Sequence, residues 1–218
     1  MPESEIIYAL DQRLALSATS PTPGTLTDLH KSVYYQWRDL ISTGELKPPF
    51  EVIHVDGHAD LGMGDSSFIY LQEEWIYEAD KMKAPKEGGW SGLGCGNFLA
   101  FAIVNGWVSS LTYVCHEEAP DDVNRMFFKD WNKESGFIQT KRVQKGDFEK
   151  ASYSLSEDSI RYEPDLTIPF RRLPLGEYMA ETAFDFAFVV RSPSYTPVEL
   201  DFVNDIIEKR IQSLTRRC

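Results

Sequence analysis

Phe50-Glu51-Val52-Ile53-His54-Val55-Asp56-Gly57-His58-Ala59-Asp60 is the stretch on which the fold turns. The β-branched run through Val52, Ile53 and Val55 predicts a buried strand, and the polar residues after it place chemistry at the strand's C-terminal end. In extended chain, side chains at i, i+2 and i+4 share one face. Asp56, His58 and Asp60 are therefore expected to converge, with Gly57 and Ala59 small behind them. Two carboxylates and an imidazole suit a borderline-hard divalent ion such as Mn²⁺ or Zn²⁺ better than Ca²⁺ or Cu(I). The alternative is a polar turn in which Asp56 caps a helix and His58 is satisfied locally. By the same alternation His54 faces the way of Asp56 and His58, either supporting them or simply packing.

Elements alternate on both sides of this stretch. Upstream, residues 6–10 read as a strand, residues 19–24 as a Pro/Thr/Gly loop, and residues 26–41 as a helix. The helix shows one apolar stripe of Leu26, Leu29, Val33, Trp37 and Leu40 and ends at Gly44 and Pro48-Pro49. Downstream, helical pattern is expected over 68–82, over the apolar 97–105 and over the acidic-started 121–131. Residues 110–115 read as a buried strand ending at His116. Between 136 and 179 the pattern weakens to short strands and turns. Residues 183–190 read as an apolar strand interrupted by Asp185. The last helix is expected over 198–214, with Thr196 as N-cap, Pro197 at the first position and Glu199 closing a capping box. Strands alternating with helices predict α/β layers around a mainly parallel sheet, whose ligands bind outside the carboxyl ends of the strands.

At 218 residues the chain is expected to form one domain over 1–218. A formal charge of −12, with no basic tract, argues against nucleic-acid binding and is compatible with steering a cationic substrate. Cys95, Cys115 and Cys218 have no paired spacing, so neither a disulfide framework nor a zinc ribbon is indicated. The start Met-Pro-Glu-Ser-Glu lacks a signal-peptide pattern, and no apolar run reaches membrane-spanning length, so a cytoplasmic protein without a membrane partner is expected. The glycine-rich stretch from Gly88 to Gly96 lacks the Lys-Ser/Thr ending of a phosphate loop. It reads as a flexible surface loop leading to Asn97, an N-cap first and a substrate contact second.

The sequence Val55-Asp56-Gly57-His58-Ala59-Asp60-Leu61 resembles the Asp-Ala-His-x-Asp signature of arginases and other ureohydrolases. More closely, the layout is similar to a compact arginase-like family that includes bacterial peptide arginases. That layout comprises His30 on a helix, the strand into Asp56, Gly96-Asn97-Phe98-Leu99 opening a helix, and Phe184-Asp185 followed by Arg191-Ser192-Pro193-Ser194-Tyr195-Thr196-Pro197. The resemblance spans most of the chain, from about Leu26 onward. It implies a three-layer α/β/α arginase-like fold holding two Mn²⁺ ions. It implies hydrolysis of arginine side chains in a ribosomally made precursor peptide to ornithine, with release of urea. On this basis His30, Asp56, His58, Asp60 and Asp185 are the expected metal ligands. Ala187 stands where the second aspartate of the family's later Asp-x-Asp pair should be, so one ligand is missing or comes from His116, Glu117, Asp201 or water.

Guanidinium is a resonance-stabilised, poorly electrophilic cation, and a metal answers this by lowering the pKa of water to about 7 in favourable sites. His116 is the candidate shuttle for the proton that the leaving amine needs, with Asp60 the other candidate catalytic group. Glu117 and Asn97 are the candidate substrate contacts, and Glu117 with Glu118 could equally be a solvated acidic loop. Two other readings stay open: a different metal-dependent C–N hydrolase (free arginine, agmatine or an acylated amine), and a non-catalytic metal-stabilised binding protein. Free-arginine enzymes need contacts for the α-amino and α-carboxyl groups, and a compact chain has less room for them, which favours a peptide.

Overall fold

In the computed structural model, residues 2–62, 67–88, 91–119, 121–148, 160–193, 196 and 198–214 are described. The chain is α/β and divides into two compact units, Met1–Val33 with Pro174–Cys218, and Tyr34–Leu173. The division falls inside a single continuous helix, α2 (His30–Thr43).

The first unit is built on a three-stranded parallel sheet of order β6-β1-β7, from β1 (Thr22–Thr27), β6 (Ala187–Val190) and β7 (Ile211–Ser213). Gly24 is required at its centre, because a Cβ there would lie 1.8 Å from the Ala187 carbonyl oxygen. The N-terminal segment is not the strand its apolar residues suggested. It is α1 (Glu3–Tyr8), continued by a π turn over Ala9–Arg13. Ile6, Leu10 and Leu14 are all buried, and a four-residue spacing puts them on one face of a helix. The last helix, α5 (Asp201–Glu208), is shorter than expected, because the chain returns to the sheet as β7. Thr196 does not cap it: its hydroxyl donates to the Arg191 carbonyl at 3.0 Å. Pro197 lies outside the described residues.

The second unit holds a mixed sheet of order β2-β3-β5-β4. Its strands are β2 (Phe50–Val55), β3 (Val108–Cys115), β4 (Phe137–Val143) and β5 (Tyr162–Pro174). β2 and β3 are parallel, with His54 opposite Tyr113 and Val55 opposite Val114, whereas β4 and β5 are antiparallel. Parallel pairing is thus shared between two sheets rather than gathered in one. Of the predicted helices, 97–105 is realised as α4 (Phe98–Val104), every residue of which is buried. The helix expected over 68–82 is α3 (Ser67–Glu73), followed by a short 3₁₀ turn. The helix expected over 121–131 does not form. Asn124 accepts a hydrogen bond from the Met126 amide, and Asp130 and Trp131 have φ of 53° and 60°, so the segment becomes 3₁₀ turns. Asparagine side chains that bond nearby backbone compete with helix in this way.

Aromatic rings fill the core of this unit. Tyr34 stacks on Trp107 at 4.9 Å and meets Phe101 edge-on, while Trp37 packs against Phe50 and Phe98. These contacts come from the body of α2, so the helix axis is fixed against β2 and α4. Leu26 and Leu29 are not part of the stripe, since Leu26 lies in β1 and Leu29 is exposed ahead of the helix. Gly44, at φ 77°, ends α2 in the left-handed conformation that glycine adopts without steric penalty.

Candidate metal centre

β2 stops at Val55, and the next five residues are not extended. Asp56 donates its amide to the Val114 carbonyl at 3.1 Å, the last rung beside β3. Its Oδ1 then accepts the His58 amide at 2.9 Å, closing an Asx turn over Asp56-Gly57-His58. Asp60 has φ of 50°, in the left-handed region that aspartate tolerates better than most residues. The turn breaks the alternation expected of an extended segment, so Asp56, His58 and Asp60 do not share a face. The side chain of His58 is 69% exposed, with Nδ1 4.0 Å from Asp56 Oδ1.

The buried side of the turn is held by two side chains. Ala59 is 1% exposed, and its amide is bracketed by both carboxylate oxygens of Asp122 at 3.1 Å. Asp122, itself buried, lies 63 residues away and was not legible as a site residue. His54 Nε2 lies 2.9 Å from the His58 carbonyl and 3.5 Å from Asp60 Oδ2. The carbonyl can only accept, so Nε2 carries the proton and donates it to the His58 carbonyl, which holds the turn in the supporting manner that alternation gave His54 as one of two options. Asp60 is 5% exposed, and a buried carboxylate needs compensation.

His30 opens α2. In the second unit, one carboxylate oxygen each from Asp56 and Asp60 lies within 4.8 Å of the other. His30 Nδ1 lies 3.4 Å from the hydroxyl of Ser192, whose own φ of 46° is unusual for a non-glycine residue.

The other predicted site residues fall differently. Asp185 is exposed in a bend ahead of β6, not buried within a strand. The strand begins only at Ala187, so the burial that would have required a metal partner for Asp185 does not arise. His116 is exposed one residue past β3, and Glu117 lies exposed in the turn that follows. His116 Nδ1 accepts the Glu118 amide at 3.2 Å, which assigns the proton of the neutral ring to Nε2. Asn97 is fully buried: its Oδ1 accepts the Gly94 amide at 2.7 Å and its Nδ2 donates to the Gly92 carbonyl at 3.0 Å. It ties down the glycine-rich loop instead of presenting an amide to a substrate. That loop is held in turn by Gly92, whose Cβ would meet the Gly88 and Lys86 carbonyls at 2.6 and 2.7 Å.

Removing the Asp122 carboxylate tests this arrangement. Asp122→Ala leaves the Ala59 amide buried without its acceptor, a loss of about 1–3 kcal/mol. A guanidinium denaturation midpoint should fall accordingly, and Mn²⁺ affinity should drop about 10- to 100-fold because the turn that carries Asp56 and Asp60 is no longer held.

No family model matches this sequence, and no curated protein matches it either. No helix among the described residues is long and apolar enough to cross a membrane.

Proposed function

We propose that this chain is a manganese-dependent hydrolase of guanidinium groups, acting on arginine side chains of a ribosomally made peptide to leave ornithine and release urea. The observation that carries this reading is the pair of carboxylates of Asp56 and Asp60, whose oxygens lie within 4.8 Å of each other. Two such oxygens suit a hard divalent ion such as Mn²⁺. His58, which the arginase resemblance would add as a ligand, is turned into solvent. Substrate class and product come from that resemblance.

The cation, when bound, supplies Lewis acidity and a water of lowered pKa. The remaining chemistry belongs to the chain. Asp56 and Asp60 offset the charge of the cation, which makes a cationic guanidinium tolerable beside it. His54 and Asp122 hold the turn between the two aspartates. His116 stands at the same strand-end edge as Asp56, which is bonded to Val114 two residues before it. As an imidazolium, His116 is the group that delivers a proton to the departing ornithine amine. Glu117, exposed beside it, accepts hydrogen bonds from the guanidinium.

Incubation with Mn²⁺ and either an arginine-containing peptide or free arginine, following urea and peptide mass, tests the proposal. Urea from the peptide, with each modified arginine lighter by the atoms of one cyanamide unit, is the expected result. Urea from free arginine alone moves the substrate to the amino acid. No urea from either, with Mn²⁺ bound, overturns the hydrolase reading and leaves a metal-stabilised binding protein.

A further inference from the structure

Asn97 is fully buried, and its side chain binds the glycine-rich loop from both ends of the amide. Oδ1 accepts the Gly94 amide at 2.7 Å, and Nδ2 donates to the Gly92 carbonyl at 3.0 Å. Beyond those bonds the loop closes on itself. The Leu93 amide donates to the Lys86 carbonyl at 2.7 Å, and the Gly92 amide to the Gly88 carbonyl at 3.2 Å. The Leu93 side chain is fully buried beneath it. A buried amide bonded through donor and acceptor alike rigidifies what it holds.

Gly96, the residue before Asn97, carries that order to the turn after β2. Its carbonyl accepts the Gly62 amide at 2.8 Å. Gly62 stands two residues after Asp60, and Leu61 between them is 1% exposed. Asp60 itself has φ of 50°, a conformation that an aspartate keeps only where its surroundings over-determine the backbone. Two clamps come before it, His54 on the His58 carbonyl and Asp122 on the Ala59 amide. The clamp after it is the Gly96 carbonyl, and the loop supplies it. All of these residues belong to the second unit.

We propose that Asn97 is a positioning residue of the Asp56–Asp60 cation site, acting through the Gly96 carbonyl on the Gly62 amide, so that the glycine-rich loop and the cation turn order one another. The inference rests on the cation-binding part of the function proposed above and is independent of whether urea is released. Such coupling is reciprocal: a loop that raises cation affinity by holding Asp60 is itself stabilised by the bound cation, by the same factor. Residues that act on a site without touching its ligand typically shift binding by about 3- to 30-fold.

Hydrogen–deuterium exchange on the full wild-type chain, with and without Mn²⁺, reads the loop side of the coupling. Expected is exchange about 3- to 30-fold slower at the Gly62 and Gly94 amides when Mn²⁺ is bound, with the amides paired between β4 and β5 unchanged. Calorimetry reads the other side: Asn97→Ala should lower Mn²⁺ affinity by the same factor. The exchange measurement needs no variant, so it decides the matter even where Asn97→Ala does not fold. Mn²⁺ binding that Asp56→Asn removes, with exchange in the wild-type loop unchanged, overturns the role of Asn97 and leaves the cation site standing. Equal slowing at β4 and β5 is stabilisation of the whole chain by the ion, and also overturns it. So does an Asn97→Ala chain that unfolds at a lower temperature in EDTA yet binds Mn²⁺ as tightly as the wild type, since Asn97 then supports the fold alone. No Mn²⁺ binding by the wild type, or binding that Asp56→Asn leaves unchanged, removes the site and the inference together.

Discussion

Replacing Asp56 by asparagine should lower Mn²⁺ affinity by at least about 100-fold and abolish urea release, whereas replacing His58 by alanine should change both by less than about threefold. The contrast follows from the turn after β2. Asp56 is one of two carboxylates whose oxygens meet, and asparagine keeps its size while removing the charge that attracts a cation. Its amide oxygen can still accept the His58 amide, so the turn persists in the variant. His58 contributes only backbone to that turn and sends its imidazole into solvent. Surface substitutions away from specific features usually change stability by less than about 0.5 kcal/mol. Calorimetric titration with Mn²⁺ and a urea assay on both variants measure the contrast. Equal losses in the two would mean that the imidazole swings inward when the cation binds and that His58 is a ligand after all. Near-normal values for Asp56→Asn would remove the proposed centre.

His58 also shows where the sequence was legible and where it was not. The run from Phe50 to Val55 was read correctly as a strand, because β-branched residues in that density suit a pleated, half-buried surface. The body of α2 was legible for a similar reason: Val33 and Trp37 are four apart and both buried, and Gly44 stops the helix. The error lay in carrying the two-residue period past Val55. Asp56-Gly57 is a turn dipeptide, and its signal was present in the sequence. Local competition of the same kind misplaced the 121–131 helix, where asparagine side chains take nearby backbone amides. Asp185 failed differently. Its apolar neighbours suggested burial, yet only Ala187–Val190 enter the sheet, and a four-residue strand leaves Asp185 in solvent.

His30 was reached through resemblance and not through periodicity. Asp122 was out of reach, because it acts on the turn across a sequence separation of 63 residues that one sequence does not encode visibly. An acidic residue at 122 looks the same in isolation whether it starts a helix or clamps the Ala59 amide. What decides between them is the pairing of β3 with β2, which sets Tyr113 opposite His54 and Val114 opposite Val55. The chemistry of the candidate site is therefore local in only two of its parts, Asp56 and Asp60. The rest is tertiary.

Lys141 provides the largest expected effect on stability. It lies in β4, fully buried, with Nζ donating to the carbonyls of Met126, Phe128 and Gln139 at 3.0, 2.7 and 3.1 Å. The rings of Trp131 and Tyr162 stand 5.7 and 5.5 Å from the ammonium. Among the described residues no carboxylate touches Nζ, so dipoles and π faces compensate the charge. Burial outweighs them and the more distant Asp130, and brings the pKa down to about 8. Lys141→Met keeps the length of the chain and removes all three donors. The Phe128 carbonyl still receives the Trp131 amide, so the cost falls mainly on the other two carbonyls and amounts to about 2–4 kcal/mol near pH 7.

The pH dependence gives a sharper test. In the unfolded chain the lysine titrates near 10.5, well above its folded value. Below pH 8 both states are charged, and the folded state bears the full burden of the buried ammonium. Between pH 8 and 10.5 the folded state releases its proton while the unfolded state keeps it, so the unfolded state binds more protons and stability rises with pH. A displacement of this size corresponds to about 3 kcal/mol over the whole window. Tyr34, whose phenol is raised to about 12, acts in the opposite direction, because its unfolded form begins to ionise near pH 10 while the folded form does not. That contribution is common to both proteins and cancels in the difference. Denaturant titrations of wild type and Lys141→Met at pH 7, 8, 9 and 10 should show the wild type's advantage widening across the series. A constant difference would mean that Lys141 keeps its proton in the folded state and that the three carbonyls hold the ammonium as firmly as water does.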